Sequence, residues 1–214
     1  MDLRYAPEAV DVRLVSTPLT REQKLLVCPL DQVKVHAKVT HSDEDSLLEE
    51  YIEAAYDYLS GPDGWLGGAC LLEEDWEVYA PSRLGRLFEL PLRPFVGVSL
   101  TSFDYLQADG TYAPVDASRF VLEPAQIFAR VSLAYGQTWP YTGTLHPRAY
   151  RIRFTAGFAP VAEPDHVPSP IRLAMKMLAA SWYADREMVG RIDDRVNHGL
   201  VKLAGRYRVE PDHS

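Results

Sequence analysis

Cysteine is scarce in this chain: Cys28 and Cys70 are the only two among 214 residues. With no C-x-x-C pair and no histidine beside them, they suit neither a disulfide framework nor a metal knuckle, and buried thiols are expected. No run of about 18 apolar residues occurs, so no membrane-spanning helix is expected. The start, MDLRYAPEAVDVRLV, lacks the basic start and apolar h-region of a signal peptide, and assembly in the cytoplasm is the expectation. An excess of positive charge is also missing. Lys and Arg number 22 against 30 Asp and Glu, a net charge of −8, which argues against general binding of nucleic acid, where clustered cations must displace counterions from phosphates. HExxH, GxSxG, a P-loop and GxGxxG are all absent, and GWLGGA has neither the spacing nor the preceding strand of a phosphate cradle.

What is present suits a globular core. Hydrophobic residues make up 47% of the chain, enough at this length for one core or one core with an inserted subdomain. In SDEDSLLEEYIEAAYDYLSG the residues Leu47, Leu48, Tyr51, Ile52, Ala55 and Leu59 recur at helical spacing. Ser42 is placed to cap that helix with Asp45 three residues on, and Gly61-Pro62 ends it. Upstream, LDQVKVHAKV reads as a shorter helix capped by Asp31, so residues 30–66 form a helical hairpin. Residues 1–29 read as an extended arm.

After Gly67-Gly68 the period changes from helical to alternating. CLLEEDWEVYA, LFELPL, two runs flanking Asp109-Gly110, then RFVLEP, ARVSLA and YRIRFTAG read as strands separated by Pro and Gly, making residues 67–160 an inserted antiparallel β-domain. Beyond Pro168 and Pro170, the residues Ile171, Ala174, Met175, Leu178, Ala179, Trp182 and Tyr183 share one broad face of a buried helix. A last helix carries Val196, Leu200, Leu203 and Tyr207, and residues 168–209 are read as C-terminal helices completing the bundle. The expected fold is α+β: a small helical bundle, its N-terminal hairpin plus C-terminal helices, with an antiparallel β-domain inserted.

Candidate chemistry is thin. His36 and His41 lack the i, i+4 spacing that puts two imidazoles on one helix face, and a polar loop accounts for them. LQADGTYAP lacks the further acids of a calcium loop; a hairpin turn explains it. Asp193, Asp194 and His198 lie close enough to share a helix turn, which keeps open an alternative in which the chain is a small hydrolase. A second alternative is a ligand-binding β-domain with Trp76 and Trp139 as platforms. Tyr51, Trp182 and Tyr183 are core or interface aromatics.

Three blocks carry a family resemblance. CPLDQVKVHAKVTHSDEDSLLEEYIEAAYDYLSG resembles the opening of phage head-tail connector (adaptor) proteins, whose second helix ends in Y-L-x-G. LFELPLRPFVGVSLTSFDYLQADGTYAPVD resembles their strand, proline and hairpin region. YRIRFTAGFAPVAEPDHVPSPIRLAMKMLAASWYADRE resembles their F-T-A-G strand, V-P loop and helix ending in W-Y-x-x-R-E. The likeness runs from Leu30 to Glu187; the long segment around residues 130–149 and the tail beyond Arg191 depart from it.

The resemblance implies a structural protein, not an enzyme, in the neck of a tailed phage or a gene transfer agent. It implies a ring, commonly of twelve copies, beneath the portal protein, with a stopper or tail-completion protein on its other side and double-stranded DNA passing through without specific binding. Cofactor, metal and membrane play no part in it. Acids lining such a channel would repel phosphates: the candidates are Asp43, Glu44, Glu49, Glu50, Glu53 and Asp57, or Glu73, Glu74 and Asp75. Lys202, Arg206, Tyr207 and Arg208 are the expected portal-docking residues, in a terminal segment that becomes ordered on its partner.

Overall fold

The computed structural model describes residues 11–82, 84–97, 99–124, 128–140, 142, 145–186 and 193–209. The chain forms two units. One comprises residues 73–157 together with the N-terminal segment that carries the first strand; the other comprises residues 18–72 and the chain from Phe158 onward. The fold is α+β, with five α-helices and antiparallel sheets among the described residues.

The strand unit holds β1 (Asp11–Leu14), β2 (Glu74–Ala80), β3 (Leu87–Glu89), β4 (Ser102–Leu106), β5 (Tyr112–Pro114), β6 (Phe120–Glu123), β7 (Arg130–Leu133) and β8 (Tyr150–Ala156). One sheet runs β1-β2-β8-β4-β5 and a second runs β3-β7-β6. Alternation along β8 sets the two faces of the larger sheet: Tyr150, Ile152, Phe154 and Ala156 are buried, whereas Arg151, Arg153 and Thr155 are not. In register, Val78 and Phe103 flank Ile152 to build an apolar row, and Glu77 beside Arg153 starts a charged one. The period of two thus separates core from salt-bridged face. Asp109-Gly110 turns the β4–β5 hairpin, with Gly110 at φ +84°, where only glycine is unstrained.

Within the segment around 130–149, residues 130–133 form β7 and Trp139 packs into the strand unit. Trp139 packs against Phe103 and Tyr150, with ring centroids 5.5 and 6.2 Å away, and its indole N–H donates to the Gly85 carbonyl at 2.8 Å. Trp76 is buried on β2. Trp76 is thus a core residue, and Trp139, half-buried, packs on aromatic neighbours of the strand unit.

The helical unit holds α1 (Arg21–Val27), α2 (Leu30–Ala37), α3 (Asp45–Leu59), α4 (Ser169–Ala184) and α5 (Asp194–Ala204). Helix α4 packs against α2, α3 and α5. Its Ile171, Ala174, Met175, Leu178, Ala179 and Trp182 are buried with Leu48, Ile52, Ala55 and Leu59 of α3, Val33 of α2 and Leu200 of α5, each large side chain contributing about 1.5–3 kcal/mol by leaving water. Both cysteines are buried free thiols, and burial pushes Cys28 up to about 11.

Three local expectations are corrected. Residues 1–29 are not an extended arm throughout: residues 11–14 pair with β2, and 21–27 are a helix opened by a reciprocal capping box between Thr20 and Gln23. The second long helix is not capped by Ser42; Glu44 occupies the cap without a side-chain bond, because its carboxylate is held by Tyr183 and Arg186. Asp31 does not cap α2 either. Pro29 takes that position, where the locked φ of proline suits a helix start.

Candidate functional site

The acids of α3 form a stripe, Glu49, Glu50, Glu53 and Asp57, at helical spacing. Without a single Lys or Arg in its own segment, this helix draws cations from elsewhere. Arg21 donates to Glu53 at 2.9 Å, and Lys24 lies 3.3 Å from Glu53 and 2.8 Å from Asp57. Lys34 reaches Asp45 at 2.6 Å, and Arg186 pairs with Glu44. Burial opposes the charge on Glu53, but the bonds from Arg21 and Lys24 outweigh it and hold its carboxyl below the ordinary value. Desolvation likewise opposes the charge on Lys24, yet the bonds to Asp57 and Glu53 leave its ammonium above its usual value.

The neutralisation is uneven. Asp43 and Glu50 are exposed and Glu49 half-buried, and among the described residues these three take part in none of the ion pairs that neutralise their neighbours. Glu73 and Glu74, where the chain enters β2, are half-buried, and Asp75 is exposed and accepts from the Thr155 hydroxyl at 2.6 Å. The nine acids offered for one role are therefore in different electrostatic states.

Of the aromatics, Tyr51 and Trp182 belong to the core of the helical unit. Trp182 meets Tyr58 edge-on at 6.2 Å. Tyr183 lies at the rim of that core and donates its hydroxyl to Glu44 at 2.6 Å.

The C-terminal cations divide in two. Tyr207 packs edge-on against Phe158 at 5.9 Å, Arg208 lies over the Trp65 ring at 4.8 Å, and the Val209 amide donates to the Leu66 carbonyl at 3.0 Å. This segment is folded onto its own unit, with Leu200 and Ala204 of α5 fully buried. Lys202 and Arg206 are exposed, Arg206 resting over the Tyr207 ring. Tyr207 and Arg208 are thus committed to the unit's own packing, a role that the apolar stripe through Leu203 already signals.

Asp193 is the cap of α5, accepting from the Arg195 amide at 2.8 Å, and His198 is exposed one turn further on. His36 and His41 are exposed and separate. Among the described residues, no group of three His, Cys, Asp or Glu side chains is arranged to hold a metal ion.

Comparison with known proteins adds two findings. Residues 29–90, less than a third of the chain, match the family described as phage gp6-like head-tail connector protein. The fold is that of a chain in the neck of an empty gene transfer agent (GTA) particle computed with C6 symmetry, with a TM-score of 0.71 and 23% identity over 95% of this chain and 98% of that one. A chain of the native gene transfer agent virion and one of the native neck computed with C12 symmetry each give a TM-score of 0.69 at the same identity and coverage. No curated protein matches in sequence.

Proposed function

We propose that this chain is a head-tail connector: a structural protein of the neck of a phage-like particle that assembles as a ring under the portal protein and joins the DNA-filled head to the tail. The observation that carries the proposal is coincidence. The segment matching the connector family, residues 29–90, contains α2 and α3, and the whole chain, strand unit included, follows the fold of chains from gene transfer agent necks. A non-enzymatic role agrees with both. The Asp193, Asp194 and His198 set offers a helix cap rather than a reaction centre.

Passage of DNA calls for a wall that repels phosphate. Glu44, Glu53 and Asp57 are locally neutralised, which weakens those positions in that role, and of the acids at the start of β2 the exposed Asp75 is the lumen candidate we favour. The portal contact falls to Arg206, an exposed cation of the terminal segment, leaving Lys202 and the open face of α5 for another surface. A stopper or tail-completion protein would take the opposite rim of the ring.

Deleting the gene from the element that encodes it tests this. Negative-stain microscopy should show filled or leaking heads that lack tails, alongside free tails. Particles with normal tails would refute the connector role.

A further inference from the structure

We infer that the acidic stripe of α3 and the exposed face of α5 are the two halves of one subunit contact, the α3 stripe of each copy receiving α5 of the next. The inference rests on the connector reading and says how its ring is held. Among the described residues, two faces of the helical unit carry charges outside any ion pair of the chain. On α3, Glu49 and Glu50 lie on the same stripe as Glu53 and Asp57, but Arg21 and Lys24 close ion pairs only with the latter two, Arg21 acting on Glu49 and Glu50 from beyond contact. On α5, Arg195, His198 and Lys202 recur at i, i+3 and i+7, all exposed, with Val201 46% exposed among them. Among the described residues, neither Arg195 nor Lys202 is in a salt bridge of its own chain, whereas Arg21, Lys24, Lys34 and Arg186 all are.

The faces match in sign and in length. Residues 18–72 carry ten acids against four Lys and Arg, while residues 194–209 carry one acid against four. Arg195 to Lys202 on α5 and Glu50 to Asp57 on α3 each span about 10 Å along a helix at 1.5 Å per residue. The two faces are also distinct surfaces of one body: α4 packs against both α3 and α5, which share little contact with each other. A copy therefore cannot satisfy its own α3 with its own α5. Two different complementary faces on one chain make a heterologous contact, the type that propagates from copy to copy and closes a ring. Opposite charges fix the register and exclude the like-charged pairings of α3 with α3 and α5 with α5.

Charge reversal tests the pairing in the particle. Glu49→Lys with Glu50→Lys, or Arg195→Glu with Lys202→Glu, should each cut incorporation into necks about tenfold or more. The chain carrying all four substitutions should recover it, because each copy again presents opposite charges. Tolerance of either reversal alone overturns the inference. So does an α5 reversal that the α3 reversal fails to rescue, the outcome expected if α5 faces the portal. Wild-type chain absent from necks in the same preparation would sink the connector reading itself and is a separate result. Carbodiimide treatment of wild-type particles gives a check without substitutions: the dimer band should hold Lys202 joined to Glu49 or Glu50, and Lys202 joined only to portal peptides would overturn the pairing.

Discussion

The hydroxyl of Tyr183, in the last turn of α4, lies 2.6 Å from a carboxylate oxygen of Glu44, the cap residue of α3, joining positions 139 residues apart in the chain. Arg186 takes the other oxygen. The W-Y-x-x-R-E ending of α4 is therefore a clasp: Tyr and Arg three residues apart share one face of the chain as it leaves the helix, and both close on the start of α3.

The clasp predicts a pH dependence. Its bonds from Tyr183 and Arg186 hold the Glu44 carboxyl below its ordinary value of 4.5. A group depressed on folding stabilises fully above its unfolded value, and that contribution is lost as pH falls through the folded one. Tyr183→Phe should lower the melting temperature at pH 7, and its deficit against wild type should shrink below pH about 4.5. A deficit that stays constant down to pH 2 would show that the lost bond is not to an ionised Glu44.

Lys24 serves two acids of α3 at once while only 15% of its side chain is exposed. Lys24→Met keeps the aliphatic stem but leaves Glu53 and Asp57 facing each other with Arg21 alone. We expect a loss of about 1 kcal/mol in denaturant unfolding, at the upper end for a surface pair because two acids depend on it. The effect should be halved or less in 1 M salt. Insensitivity to salt would assign the loss to packing of the stem.

Gly67 sits at φ +72°, and a Cβ there would run into the Val209 carbonyl. Gly67→Ala should cost about 1 kcal/mol for the left-handed backbone and should also free the terminal segment. Hydrogen exchange is the measurement: amides of residues 205–209 should lose protection while those of α3 and α4 keep it. Unchanged protection at 205–209 would mean that the closure over Leu66 is not what orders the segment.

Much of this architecture can be read from period alone. YRIRFTAG alternates strictly because β8 is central in its sheet with one face buried, and IRLAMKMLAASWYA keeps a 3.6-residue stripe because α4 is surrounded by three helices. Asp109-Gly110 marks its hairpin since only glycine is at ease at that φ. What period cannot reveal is which distant charge meets which. The seven acids between Ser42 and Ser60 suggest a bare acidic face, yet four of them, Glu44, Asp45, Glu53 and Asp57, meet Arg21, Lys24, Lys34 and Arg186 from outside the segment. Helix α1 did leave a local signal, the T-x-x-Q of Thr20 and Gln23, on a helix only seven residues long. Strand β1 is four residues, too short for alternation to register, and Trp139 stands in a loop whose packing no local pattern encodes.

Asp193 and Asp194 separate a cap from a catalyst. Asp193→Ala should destabilise α5 by about 1 kcal/mol through loss of the bond to the Arg195 amide, whereas Asp194→Ala, exposed and without that bond, should change stability within about 0.5 kcal/mol. Neither should alter DNA transfer once protein levels are matched. Loss of transfer with normal folding and intact necks would restore the hydrolase alternative.

The central claim is tested most directly by cryo-EM of intact particles from the element that encodes the chain. The account predicts density for this chain, helical and strand units both, as a closed ring between portal and tail, with the α3 stripe of each copy against α5 of the next. Particles whose neck is complete without this chain would contradict it.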